Sequence, residues 1–342
     1  MESPRHSVPE RSSPIWSLIE KGPGLCLPSF FSSDASHPRY KGKFPGARNE
    51  KGYRADSFEV RGDFNIAYFG DSWVEGHGAA RGEIFPDRVS KLLGQRTGLV
   101  VKSWNFGLSG TGLDYILRLA PAVCDHLQPD LAIVVFTQVN RREYFSTDGK
   151  RMMLRMRQFI NAVKNRAKYD PFDYLILQHF AAMDNPYENI AHTVRHVRSL
   201  QAVFQASSIP WAFSWADLDD ATEPLSFLLE QGMLPQGNFL GEIFERSDEA
   251  RNSRVHPGVK SHEAFAQTIV KWIQHNKVNL QRASSNPPAP GTDQSSRTAL
   301  RGKPGVWRVL REMLSRVGQK DFIRRFKRRD PDVETDDIYP LW

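Results

Sequence analysis

Between about residue 63 and residue 276, short apolar runs alternate with amphipathic stretches, and this alternation restricts the fold more than any other property of the chain. Leu131-Ala132-Ile133-Val134-Val135-Phe136 is apolar throughout, the pattern of a strand covered on both faces. Runs of this kind, separated by segments long enough for a crossover helix, build βα units around a parallel sheet. Five strands are predicted, at 65–70, 99–105, 131–136, 173–178 and 210–215, with helices at about 83–94, 112–127, 151–168, 187–207 and 258–275. In the last helix Phe265, Ile269 and Trp272 recur at helical spacing. The expected fold class is α/β, with helices on both faces of a central five-stranded parallel sheet.

The flanks read differently. Residues 1–60 are rich in Pro, Ser, Gly and Arg and read as an irregular N-terminal arm; 61–278 form the α/β domain. Residues 279–300, with Asn286-Pro287-Pro288-Ala289-Pro290-Gly291, read as a linker. Residues 301–342 read as a basic amphipathic helix, with Trp307, Leu310, Leu314 and Val317 on one face, followed by an acidic tail. Much of the net charge of +7 at pH 7 sits in that helix, so nucleic acid is not an expected partner of the main domain. The tail either docks on the protein's own body or contacts an acidic surface. The only cysteines, Cys26 and Cys124, exclude a disulfide framework. The polar N-terminus lacks the apolar segment of a signal peptide, and no run reaches the ~18 apolar residues of a membrane span. A cytoplasmic location without a transmembrane segment is expected.

In an open parallel sheet ligands gather at the carboxyl ends of the strands. Those ends carry Gly70-Asp71-Ser72, Asn105-Phe106-Gly107-Leu108-Ser109-Gly110 and Thr137-Gln138-Val139-Asn140, and His256-Pro257-Gly258 precedes the last helix. Ser72 is a candidate nucleophile, and a serine needs a base and a pocket for the developing oxyanion. Other motifs fall short. Gly107, Gly110 and Gly112 are spaced G-x-x-G-x-G, not as in a dinucleotide fingerprint. Ser109 has Thr111 where a nucleophile elbow requires glycine. His192 and His196 lie one helical turn apart, but no third ligand stands at a known spacing, and they are not read as a metal site.

The four blocks, in this order, resemble the SGNH hydrolases, also called GDSL-type lipases and esterases, over about residues 64–276. The resemblance implies a flavodoxin-like three-layer fold and a serine esterase that works through an acyl-enzyme without metal or organic cofactor. Ser72 would attack the acyl carbonyl and His256 would shuttle the proton. The backbone N–H groups of Ser72 and Gly110 and the Asn140 amide would hold the oxyanion. The implied substrate is an O-acyl ester of a small molecule, glycan or lipid. Trp73, His77, Arg141, Arg142 and Tyr144, in loops after the strands, favour a small acyl group on a sugar or polymer.

Two positions depart from the family pattern. Three residues before the histidine, where the family carries an orienting Asp, this chain has Ser253. The alternatives are Asp248 or Glu249 from the preceding loop, a neutral hydrogen bond from Ser253, or a Ser–His dyad. Thr137-Gln138-Val139-Asn140-Arg141-Arg142 replaces the usual Gly-x-Asn-Asp, so Gln138 is an alternative amide to Asn140. A catalytically weak binding or structural protein of the same fold is the rival reading.

Overall fold

The structure is a computed structural model that describes residues 48–280 apart from 50, 146–150, 169–170, 218–221, 251–252, 277 and 279. Most of the expected arm, nearly all of the linker and the whole tail lie outside the described residues. The chain runs through β1 (Phe64–Phe69), the single-turn α1 (Ser72–Glu75), α2 (Phe85–Thr97), β2 (Val101–Asn105), α3 (Leu113–Leu127) and β3 (Leu131–Phe136). An insertion follows, with β4 (Arg142–Phe145), β5 (Arg151–Leu154), α4 (Met156–Lys164) and α5 (Pro171–Met183). The α/β pattern resumes in α6 (Pro186–Ala206), β6 (Trp211–Trp215) and α7 (Thr222–Glu230), and ends in β7 (Glu249–Ala250), β8 (Ser253–Pro257) and α8 (Val259–His275).

The central sheet is parallel, in the order β2-β1-β3-β6. Side chains alternate across it with the period of two that a strand imposes. Phe64, Ile66 and Tyr68 of β1 join one core with Phe85, Val89 and Leu93 of α2 and Phe265, Ile269 and Ile273 of α8. Each of these helical sets recurs every four residues, so each helix buries one stripe. Phe69 turns to the opposite face, where its ring meets Phe106 at 5.4 Å and Phe204 of α6 at 6.1 Å. On that side α3 packs on α6. The result is the expected three-layer α/β/α arrangement. Ile269 is fully buried, and its truncation to alanine would cost about 2–5 kcal/mol.

Among the described residues the central sheet has four strands, not five. Residues 173–178 belong to α5, where Pro171 occupies the start that helices tolerate. Leu177 and Phe180 are buried with Leu154 and Ala162 in a separate small core, while Phe172 and Leu175 face solvent. The expected helix 151–168 is likewise divided, into β5, α4 and a 3-10 turn at Arg166–Lys168. Beyond β6 the outer lane is taken by an irregular segment. It makes isolated parallel bridges from Phe213 to Phe239 and from Ala216 to Phe244, with Leu240 N–H donating to the Phe213 carbonyl at 2.9 Å.

Part of the expected arm belongs to the body. Tyr53 and Phe58 are buried, and their rings meet Phe106 at 5.3 and 4.5 Å.

Candidate active site

Ser72 stands where β1 hands over to α1. Asp71 caps that turn, its Oδ1 accepting from Trp73 N–H at 2.9 Å. Gly70 leaves the strand under Val74, and a Cβ there would collide with the Val74 side chain. Behind the turn Arg54, almost fully buried, donates to the carbonyls of Glu75, Gly76 and Ala79. Ser72 itself is buried, with 8% of its surface exposed.

The second block lies alongside because β2 is the neighbour of β1. Phe106 N–H donates to the Tyr68 carbonyl at 2.8 Å and Leu108 N–H to the Gly70 carbonyl at 3.1 Å. Asn105 closes the loop by donating to Val74 carbonyl at 2.9 Å and accepting from Gly107 N–H at 2.9 Å. Glu75, fully buried, accepts from Ser109 N–H at 2.9 Å and from the Ser109 hydroxyl, and its other oxygen pairs with Arg48. Gly110 then adopts φ +83°, a conformation that side-chain-bearing residues rarely take, and its carbonyl accepts from Arg155 at 2.7 Å.

The third block follows β3. Asn140 is half-buried in the turn, and the next residue joins three loops. Arg141 reaches Asp71 at 2.7 Å, the Thr111 carbonyl at 2.9 Å and the Gln138 side-chain oxygen at 3.0 Å. Gln138, the alternative amide, therefore has its carbonyl engaged.

His256 arrives on β8, just before α8. Its Nε2 lies 2.9 Å from Ser72 Oγ. The His77 ring stacks on it, with centroids 4.4 Å apart and planes inclined by 26°. Burial, the neighbouring His77 and Arg141 together push the imidazole down to about 4, against the opposing pull of Asp71 and Glu75. At neutral pH the ring is uncharged and offers a lone pair.

Of the candidate orienting groups, Asp248 is turned toward α8. Asp248 accepts from Ser261 N–H at 2.8 Å, from the Ser261 hydroxyl at 2.6 Å and from Lys260 N–H at 3.0 Å. Against the effect of burial, these bonds hold its carboxyl below the usual range, and they make it the cap of α8. Glu249 is exposed and pairs through its backbone with Pro257. Ser253 opens β8, and its side chain lies outside what the structure describes. His262 is fully buried; its Nδ1 accepts from Phe85 N–H at 3.3 Å, and burial pushes it down to about 3.

The structure thus brings Ser72, His256, the Gly110 loop and the Asn140 turn to one rim of the sheet. Sequence reading did not find the ties that hold them, namely Arg141 to Asp71, Glu75 to Ser109 and Arg155 to Gly110.

No family model and no curated protein sequence matches the chain. Solved structures do. The psychrotrophic esterase EstA from Pseudoalteromonas sp. aligns at 12% identity and a TM-score of 0.37, over 63% of this chain and 99% of that one. TesA aligns at 11% and 0.38, over 62% and 98%. A GDSL-like lipase from Bacteroides thetaiotaomicron aligns at 11% and 0.33, over 63% and 89%.

Proposed function

We propose that the protein is a serine esterase of the SGNH type that hydrolyses an O-acyl ester through an acyl-enzyme. The observation that carries this reading is the 2.9 Å approach of His256 Nε2 to Ser72 Oγ from two elements 184 positions apart. The uncharged imidazole takes the proton as Oγ attacks the acyl carbon, and returns it to the departing alcohol when the C–O bond breaks. A water molecule then repeats the sequence on the acyl-enzyme. The backbone N–H groups of Ser72 and Gly110 and the amide of Asn140 serve the oxyanion, each worth about 3 kcal/mol of transition-state stabilisation. A small acyl group on a glycan or lipid suits loops as polar as those carrying Arg141 and His77.

A fluorophosphonate probe tests this reading. Ser72 should be labelled, labelling should vanish in Ser72→Ala and it should slow in His256→Ala; failure to label the wild type across the pH range would overturn it. One observation favours the rival reading of a catalytically weak binding protein, since Asp248 is engaged by α8. That reading expects labelling without turnover on a panel of nitrophenyl esters and acetylated sugars. The basic segment from Arg301 to Arg329 supports contact with an anionic surface, which deletion of 296–342 should abolish while leaving esterase activity.

A further inference from the structure

A second cluster of chemistry-bearing side chains lies where α3, α6 and β4 meet. His192 Nε2 and His196 Nε2, one turn apart on α6, stand 2.8 and 2.7 Å from the same atom, Oδ1 of Asp114. Their rings lie 3.8 Å apart. The other carboxylate oxygen is fixed by Glu143 N–H at 2.8 Å, which sets the direction of Oδ1.

The second nitrogen of His196 decides how this cluster reads. Its Nδ1 lies 2.8 Å from the His192 carbonyl, and a carbonyl only accepts, so Nδ1 carries the hydrogen. Nε2 is then the nitrogen left to ligate, and it faces Oδ1 of Asp114 at 2.7 Å. A nitrogen lone pair and a carboxylate oxygen that face each other take a positive centre between them, which a metal ion supplies as a proton does. A ring nitrogen tied to a backbone carbonyl, with the opposite nitrogen aimed at a shared point, is how metal-ligating histidines are held.

We propose that Asp114, His192 and His196 bind a divalent transition-metal ion such as Zn2+. Two imidazoles and one carboxylate suit a borderline ion better than Ca2+ or Mg2+, which take oxygen ligands. All three ligand atoms lie within 4.8 Å of one another. Bonds of about 2.0–2.2 Å in tetrahedral geometry put ligand atoms about 3.3 Å apart, so the donors need to open by roughly half an ångström. The Asp114 side chain is 22% exposed, leaving a side from which the ion and a completing water can enter. Arg142 works against the ion with its charge, but its guanidinium is held by the Val139 carbonyl at 2.8 Å and Asn189 at 2.7 Å. The ion would clamp α6 to the start of α3, four residues beyond Gly110. The inference is independent of the esterase reading.

The test is a Zn2+ titration of the chelator-treated full chain against a chromogenic competitor, with thermal unfolding in parallel. One ion per chain should bind at this site and raise the Tm. Asp114→Asn and His196→Gln, each with wild-type circular dichroism, should weaken binding by at least about tenfold. In the wild type alone, Zn2+ should protect His196 from carbethoxylation, read by peptide mass spectrometry. Equal affinity in the wild type and both variants, or a His196 modified at the same rate with and without Zn2+, would overturn the proposal.

Discussion

Arg141 Nη1 lies 2.7 Å from the Asp71 carboxylate and 2.9 Å from the Thr111 carbonyl, so one side chain binds together the loops that follow β1, β2 and β3. Asp71 is 2% exposed at its side chain and Arg141 11%, and the pair is therefore poorly screened by solvent. Its second carboxylate oxygen caps the turn that presents Ser72. The relation makes Asp71 a positioning residue and not a base.

Arg141→Ala should consequently destabilise the fold by about 3–5 kcal/mol, because it leaves a buried carboxylate unpaired. The double variant Asp71→Asn/Arg141→Met should recover much of that loss, since the amide keeps the cap to Trp73 and carries no charge. Urea unfolding of the two variants measures both quantities. A change within about 1 kcal/mol for Arg141→Ala would show the pair to be worth no more than an exposed one.

On the proposed esterase reading, Gly110→Ala should lose most activity and some stability together. The positive φ is strained for alanine, and the added Cβ would collide with the Arg155 guanidinium that grips the Gly110 carbonyl. Combining it with Arg155→Ala removes the collision but keeps the strain, so the double variant should regain stability more than activity. Tm and kcat/KM on a short-chain nitrophenyl ester separate the two effects.

How much of this was legible in the sequence follows from how local each signal is. β3 was legible because a strand covered on both faces is apolar at every position, and α8 because Phe265 and Ile269 repeat within one helix. Residues 173–178 were misread because Tyr174-Leu175-Ile176-Leu177 is a short apolar run that suits either element. What decides for the helix is a small core with Leu154 and Ala162 that belongs to an insertion the sequence did not delimit. Ser72 and His256 were singled out by their blocks, and the structure sets them 2.9 Å apart. Arg141 and Asp71 are 70 positions apart and His192 and Asp114 are 78, so no spacing could connect them. Asp248 was a candidate partner for His256 because it precedes it, whereas the folded loop turns its carboxylate onto the start of α8.

Stability should fall as the solution is acidified well before the carboxylates titrate. His262, held neutral in the core, has its folded value pushed from 6.5 down to about 3 by burial. The unfolded chain therefore binds a proton below 6.5 that the folded chain refuses. The stability from this group is fully present above that value and drains away as the pH drops toward about 3. His256 and His192 are lowered in the same direction and add to the slope. His262→Leu should show a shallower loss of Tm over this window than the wild type; parallel curves would show that His262 is protonated without cost.

The stacked pair of His77 and His256 gives a last expectation, for the pH dependence of catalysis. With His256 as the proposed base, the acid limb of kcat/KM should lie near the depressed value of about 4. After burial, the His77 ring is the largest influence in that direction. His77→Phe keeps a flat ring against His256 and keeps water out while removing the ionisable group. It should move the acid limb to higher pH and leave the plateau rate within a few-fold of the wild type. His77→Ala, which admits water, should move the limb further up and lower the plateau by loosening the ring that faces Ser72. An acid limb that stays in place in His77→Phe would assign the depression to burial and Arg141.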